Sequence, residues 1–197
     1  METLIYKEKK SGLVCRMCNH YCTVQEGKKG ICGVRKNKEG KLVRLTANRI
    51  VARSVDPIEK KPVFHMLPGS SSYSIASMGC NFKCTFCQNA GIAQPHFDQD
   101  VEQKGILTSP QKIVRDAVES GCKSISYTYT EPTVFFELAL ETSKLARKNG
   151  LLNIFVTNGY MSPEALEKLL PYLDAANVDL KAFDEGFYKK YCKASLG

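Results

Sequence analysis

The stretch Gly79-Cys80-Asn81-Phe82-Lys83-Cys84-Thr85-Phe86-Cys87-Gln88-Asn89 (GCNFKCTFCQN) places three cysteines in one short loop at the spacing C-x3-C-x2-C. Thiolates are soft ligands that suit zinc or iron–sulfur clusters. A structural zinc ion takes four protein ligands, and three within one loop leave it unclosed. His96 could supply a fourth, but nothing in the spacing requires it. A [4Fe–4S] cluster held by three cysteines keeps one iron open to a substrate or cofactor. The spacing therefore favours a cluster with a vacant position.

Outward from this loop the chain reads as strand–helix units. Tyr73–Ala76 is a short strand before the cysteines. Ser109 caps a helix from Pro110 to about Ser120, with Ile113, Val114, Ala117 and Val118 on its apolar face and Gly121 as its stop. A strand over Lys123–Tyr129 leads to a helix from about Pro132 to Asn149. Leu152–Val156 is a third strand, and Ser162-Pro163 opens a helix with Leu166, Leu169 and Leu170 inward. Asn177–Leu180 is a fourth strand, and another helix begins near Glu185. Such an alternation implies an α/β fold with a parallel sheet and right-handed crossovers, open or curled towards a barrel. The chemistry then sits at the C-terminal ends of the strands. There the sequence places Cys80–Cys87, Thr130-Glu131, Thr157-Asn158-Gly159 and Asp179-Leu180-Lys181.

The first seventy residues differ. They carry fifteen Lys and Arg against six Asp and Glu, whereas the remainder carries thirteen against fourteen. This basic segment contains Cys15, Cys18, Cys22 and Cys32, and its turn residues predict a hairpin over Gly33–Thr46. The expected organisation is a cysteine-rich module over 1–55, a proline-containing extended connection over 56–72 and an incomplete barrel over 73–197. Basicity could serve nucleic acid or an acidic partner, although no aromatic residues interleave with it, so nucleic acid is the weaker expectation. The chain has neither a long apolar run nor a signal-peptide core, so a cytoplasmic protein without a membrane span is expected. In that compartment clustered cysteines are metal ligands or catalytic groups rather than disulfides. Cys122 and Cys192 stand apart and read as small buried hydrophobes.

The loop CNFKCTFC resembles the cluster loop of radical S-adenosylmethionine (SAM) enzymes, including the aromatic Phe86 before its last cysteine. The resemblance implies a partial TIM-like (β/α) barrel, with Cys80, Cys84 and Cys87 holding a [4Fe–4S] cluster whose open iron is chelated by SAM. Reductive cleavage of SAM would yield a 5′-deoxyadenosyl radical that takes hydrogen from a substrate. Thr130-Glu131-Pro132 stands where the family has G-G-E-P, so Glu131 would hold the SAM amino group. TNGY (157–160) and DLK (179–181) resemble segments of the pyruvate formate-lyase activating enzyme. By that likeness Phe86, Cys87 and Gln88 flank SAM, with Asp179, Leu180 and Lys181 on its other side. CRMCNHYC, GICGVR and DPIEKKPVFHMLPGS resemble the radical SAM enzymes of the AmmeMemoRadiSam system. Tyr129 and Thr130 replace the family's glycines, and Val156 replaces the activase's cation-binding Asp. The family barrel has six strands, so a truncated sequence is expected.

The resemblance implies a flavodoxin- or ferredoxin-type electron donor and, on the activase side, a glycine on a partner protein as the radical's target. A radical SAM enzyme acting on RNA and a non-enzymatic zinc-bound interaction module are the alternatives. The upstream quartet follows C-x2-C-x3-C-x9-C, with Gly30 and Gly33 beside the last cysteine. It reads as a structural zinc site, with an auxiliary iron–sulfur cluster as the second choice and His20 as a possible substitute ligand. Arg16, Lys28, Lys29 and Arg35 would offset the thiolate charge.

Overall fold

The computed structural model describes residues 1–95 and 100–196. His96 falls outside the described residues. The N-terminal part is built from short antiparallel pieces. Strands β1 (Tyr6–Lys9), β2 (Gly12–Cys15) and β3 (Thr23–Val24) form one small sheet. Strands β4 (Arg35–Lys38) and β5 (Lys41–Arg44) form the expected hairpin. Its turn is pinned by Glu26, whose carboxylate accepts from the Glu39 and Gly40 N–H groups at 2.9 and 3.1 Å. Strand β6 (Arg49–Ile50) pairs with β9 (Ile106–Leu107).

The main sheet runs β12-β11-β10-β8-β7. Strands β8 (Ser71–Ala76), β10 (Ser124–Tyr127), β11 (Leu152–Thr157) and β12 (Ala175–Val178) are parallel. This is the partial β/α fold expected from the strand–helix alternation. Strand β10 is buried along its whole length, as a strand covered on both faces must be. Strand β7 (Ala52–Pro57) lies antiparallel to β8, with Asp56 opposite Ser72 and Pro57 opposite Ser71. The stretch 56–72 is therefore no free connection: its first and last residues are sheet, and Ile58–Lys60 is a 3-10 turn. Pro57 is tolerated because it ends an edge strand, where a missing N–H costs nothing.

The helices follow the local signals. In α2 (Pro110–Glu119) the Ser109 side chain accepts from Lys112 N at 3.1 Å, and Ile113, Val114 and Ala117 are buried. Val118, expected inward, is half exposed, because the buried stripe is narrower than the apolar one. The next helical stretch begins as a 3-10 turn over Pro132–Phe135 before α3 (Phe136–Lys148). In α4 (Pro163–Leu169), capped by Ser162, the inward residues are Ala165 and Leu169. Leu166 and Leu170, expected to pack inward, lie exposed instead. The short helices α1 (Ala90–Ala93) and α5 (Glu185–Phe187) follow the first and last parallel strands; α5 continues as a single wider turn over Tyr188–Cys192.

One buried ion network locks the N-terminal part to the barrel. Arg35 and Arg44 face each other across the hairpin, and both reach Glu137 of α3 at 2.8 and 3.1 Å. Arg35 also donates to Thr3 Oγ1 at 2.7 Å. Burial pushes the Glu137 carboxyl up, but the two guanidinium groups outweigh it and hold it below its ordinary value. Two of the basic residues counted in the sequence are thus core groups rather than surface charge.

Candidate active site

Beyond the C-terminal ends of the parallel strands lies a cavity of about 460 Å³, lined by Cys80, Cys84 and Cys87. The loop carrying them is held from several sides. Gly79 opens it at φ +107, and a Cβ there would stand 2.7 Å from a Val34 methyl and 3.2 Å from the Cys32 carbonyl. Only glycine permits that approach of the N-terminal part. Asn81 is fully buried; its carbonyl is 2.8 Å from His20 Nε2 and its side-chain oxygen accepts from Asn158 Nδ2 at 2.7 Å. Gln94 Nε2 donates to the Cys84 carbonyl at 2.7 Å. Phe82 lies edge-on to Tyr160 and to Tyr188, at 5.2 and 6.0 Å between ring centres.

Burial pushes the Cys84 thiol up to about 12 and raises Cys80 as well. As free thiols they resist ionisation, so a soft metal would have to draw off their protons. The Cys80 sulfur accepts from Phe82 N at 3.3 Å.

Glu131 is buried in the cavity wall and held by four donors, three on Oε1 and one on Oε2. Its carboxylate accepts from Thr133 N and Oγ1 at 3.0 and 2.6 Å, from Thr157 Oγ1 at 2.8 Å and from Asn158 N at 2.9 Å. It caps the 3-10 turn that follows and also ties the end of β10 to the end of β11. Burial raises its pKa despite these donors. Phe86, Gln88, Asp179 and Lys181 line the same cavity, and Lys181 Nζ pairs with Asp179 at 2.9 Å. Leu180 is not part of the lining and is half exposed, because successive residues of an extended segment point to opposite sides.

Sequence reasoning missed one wall. Lys60, Lys61 and Tyr129 also line the cavity. Asp56 binds Lys60 at 2.9 Å and Lys61 at 2.6 Å, and accepts from the Tyr129 hydroxyl. Lys61 Nζ stands 4.7 Å over the Tyr129 ring. Tyr129 takes φ +62, the left-handed conformation that a glycine adopts freely, and its side-chain anchoring offsets that strain. The signal was present in DPIEKK, but only the antiparallel pairing of β7 carries those residues to the cavity.

The upstream quartet forms a second, separate place. Cys15, Cys18, Cys22 and Cys32 line one small cavity of about 20 Å³ together with His20 and Arg35. Burial pushes Cys15 up to about 11 and Cys18 up to about 12. Cys18 and Cys32 lie in turns closed by Tyr21 N to Cys18 O at 3.1 Å and Gly33 N to Gly30 O at 2.9 Å. Among the described residues, no three His, Cys, Asp or Glu side chains already stand around a single ion.

Residues 74–195 match the family model of the radical SAM superfamily. The chain belongs to that superfamily. Membership implies a [4Fe–4S] cluster and SAM, and the residues fit: three thiols from one loop face one cavity large enough for a small-molecule cofactor.

Over 196 residues the chain is 43% identical to an uncharacterized protein of Methanocaldococcus jannaschii, covering 99% of this chain and 57% of that one. Over 116 residues it is 30% identical to a protein of the same organism whose name marks it as a candidate glycyl-radical enzyme activating enzyme, covering 59% of this chain and 42% of the relative. A second protein of that kind is 28% identical over 129 residues, covering 64% and 49%. The chain spans about half the length of the curated relatives it matches. Among the described residues, no helix is long and apolar enough to cross a membrane.

Proposed function

We propose that this chain carries the cluster- and SAM-binding part of a radical SAM enzyme of the activating-enzyme type. The observation that carries the reading is the convergence of Cys80, Cys84, Cys87 and Glu131 on one cavity at the strand ends. When bound, a reduced cluster supplies the electron that cleaves SAM to a 5′-deoxyadenosyl radical. The chain's own residues bind and orient. Cys80, Cys84 and Cys87 would hold the cluster. Asn81, tied to Asn158 and His20, keeps the loop's shape. Glu131 offers its carboxylate to the SAM amino group while Phe86, Gln88, Asp179 and Lys181 border the rest of the cofactor.

The target is a hydrogen on a partner protein, such as a backbone glycine, and the electron comes from a small flavodoxin- or ferredoxin-type protein. The names of the activating-enzyme relatives support the protein target. An RNA target is less supported, since Arg35, Arg44 and Lys61 of the basic segment are buried in ion pairs. The quartet Cys15, Cys18, Cys22 and Cys32 holds a structural zinc ion. The small volume that the four cysteines border, with room for little more than one water-sized body, supports a single ion over a second cluster.

Anaerobic reconstitution with iron and sulfide, followed by dithionite reduction in the presence of SAM, tests the enzyme reading. Chromatography should detect 5′-deoxyadenosine and methionine. Absence of a visible iron–sulfur absorption, or a reduced cluster that leaves SAM intact, would sink it.

A further inference from the structure

The two cysteine regions share one residue. Asn81 belongs to the C-x3-C-x2-C loop, yet it is fully buried and lines the small cavity bordered by Cys15, Cys18, Cys22 and Cys32. It is not among the residues lining the open cavity. Its neighbours fix the orientation of its amide. Tyr160 N, a backbone donor, gives its hydrogen to Asn158 Oδ1 at 3.0 Å. That leaves Asn158 Nδ2 to donate to Asn81 Oδ1 at 2.7 Å. The Cys80 sulfur lies 3.8 Å from the same Oδ1. The amide oxygen therefore faces Cys80 and Asn158, and Nδ2 occupies the other arm. This buried nitrogen has no hydrogen-bond acceptor among the described residues. A buried donor without an acceptor is costly, so it points to a partner that is not one of the chain's own oxygens.

The segment carrying the quartet is also laid against the one carrying Asn158. Asn19 N donates to the Tyr160 carbonyl at 3.0 Å, and Ser162 N to the Met17 carbonyl at 3.2 Å. His20 Nε2 donates to the Asn81 carbonyl at 2.8 Å.

We propose that Asn81 is a positioning residue of the quartet's metal centre, its Nδ2 donating to a thiolate there from within the cluster loop. The inference rests on the reading that Cys15, Cys18, Cys22 and Cys32 hold a metal ion. Four thiolates on a divalent ion leave net negative charge, and an N–H donor to one of them offsets it and orients the ligand. Asn81 then grips the quartet through Nδ2, Asn158 through Oδ1 and His20 through its backbone carbonyl. Asn158 N in turn donates to Glu131 Oε2 at 2.9 Å, so a filled quartet steadies the wall of the open cavity.

The test is dialysis of the anaerobically reconstituted protein against graded chelator, with zinc and iron counted by elemental analysis. Asn81→Asp keeps the acceptor for Asn158 but removes the donor, and should release zinc at roughly tenfold lower chelator concentration. Asn158→Ala removes the bond to Oδ1 but leaves the donor, and should retain zinc as the parent does. If Asn81→Asp fails to fold, Asn81→Ala also lacks the donor and should show the same loss. A donor-free variant that holds zinc like the parent overturns the proposal. Equal zinc loss from Asn158→Ala overturns it too, since Asn81 would then matter only for the loop's shape. So does an unchanged zinc curve with a shifted electron paramagnetic resonance of the reduced cluster, which puts the donor on the other site. A parent protein without zinc defeats the quartet reading and the proposal with it. A parent that takes up zinc but no iron defeats the enzyme reading alone, because the zinc comparison does not depend on the cluster.

Discussion

The two cysteine-rich regions lie side by side and differ in openness. Cys80, Cys84 and Cys87 border a cavity of about 460 Å³ that also holds Glu131, Lys61 and Lys181. Cys15, Cys18, Cys22 and Cys32 border about 20 Å³ with Val24, Met17 and Val134 among their neighbours. A roomy strand-end site lined by Glu131, Asp179 and Lys181 can admit a cofactor and a substrate; a small, largely apolar one can hold little more than an ion. The difference is the ground on which chemistry is proposed for the first and bracing for the second. They meet at Gly79 and Asn81, where the Cys32 carbonyl and His20 touch the cluster loop.

The largest expected effect separates the two directly. Cys84→Ala should abolish both the iron–sulfur absorption and SAM cleavage in reconstituted protein, while zinc content stays unchanged. Cys18→Ala should do the reverse. Elemental analysis should show zinc lost and the melting temperature lowered, with iron uptake at the other site retained. If Cys18→Ala instead removes iron and spares zinc, the division between the sites is broken.

A second comparison concerns the Glu137 network that joins the two regions. Glu137→Ala leaves two buried guanidinium groups without their counter-charge and should cost about 3–5 kcal/mol in urea unfolding. Because the Glu137 pKa is lowered in the folded state, its contribution is fully present above the ordinary carboxyl value of 4.5. It is lost as the pH falls below that value towards the folded pKa. The parent protein should therefore lose stability on acidification below about pH 4.5. Glu137→Ala should lose less over the same range, and equal losses would remove Glu137 from the account.

The smallest effect lies on the barrel's outer face, away from both sites. Ser109→Ala removes the cap of α2 and should cost about 1 kcal/mol without altering iron or zinc content. A larger loss, or one accompanied by loss of either metal, would mean that α2 supports the sites more directly than its position indicates.

The alternation of strands and helices was legible because turn residues, caps and 3.6-residue periodicity in the helices are local properties. Ser109-Pro110 and Ser162-Pro163 begin helices where they stand. The spacing C-x3-C-x2-C keeps three cysteines in one short loop, and that loop lines the strand-end cavity. Charge was harder to read. Arg35 and Arg44 are indistinguishable from surface residues until the hairpin pairs them and α3 supplies Glu137. Lys60 and Lys61 looked like part of a connection, yet the pairing of β7 with β8 carries them to the cavity wall.

Cys192 shows the division most plainly. By itself the sequence determined only that it is a cysteine outside both clusters, which reads as a small buried hydrophobe. Its place against Cys84 arises from two backbone hydrogen bonds that join residues more than a hundred positions apart. Local patterning determines which segments become strands, helices and ligand loops, because those preferences act over a few residues. Only the tertiary structure decides which distant side chains share a cavity, because that depends on how the sheet orders its strands.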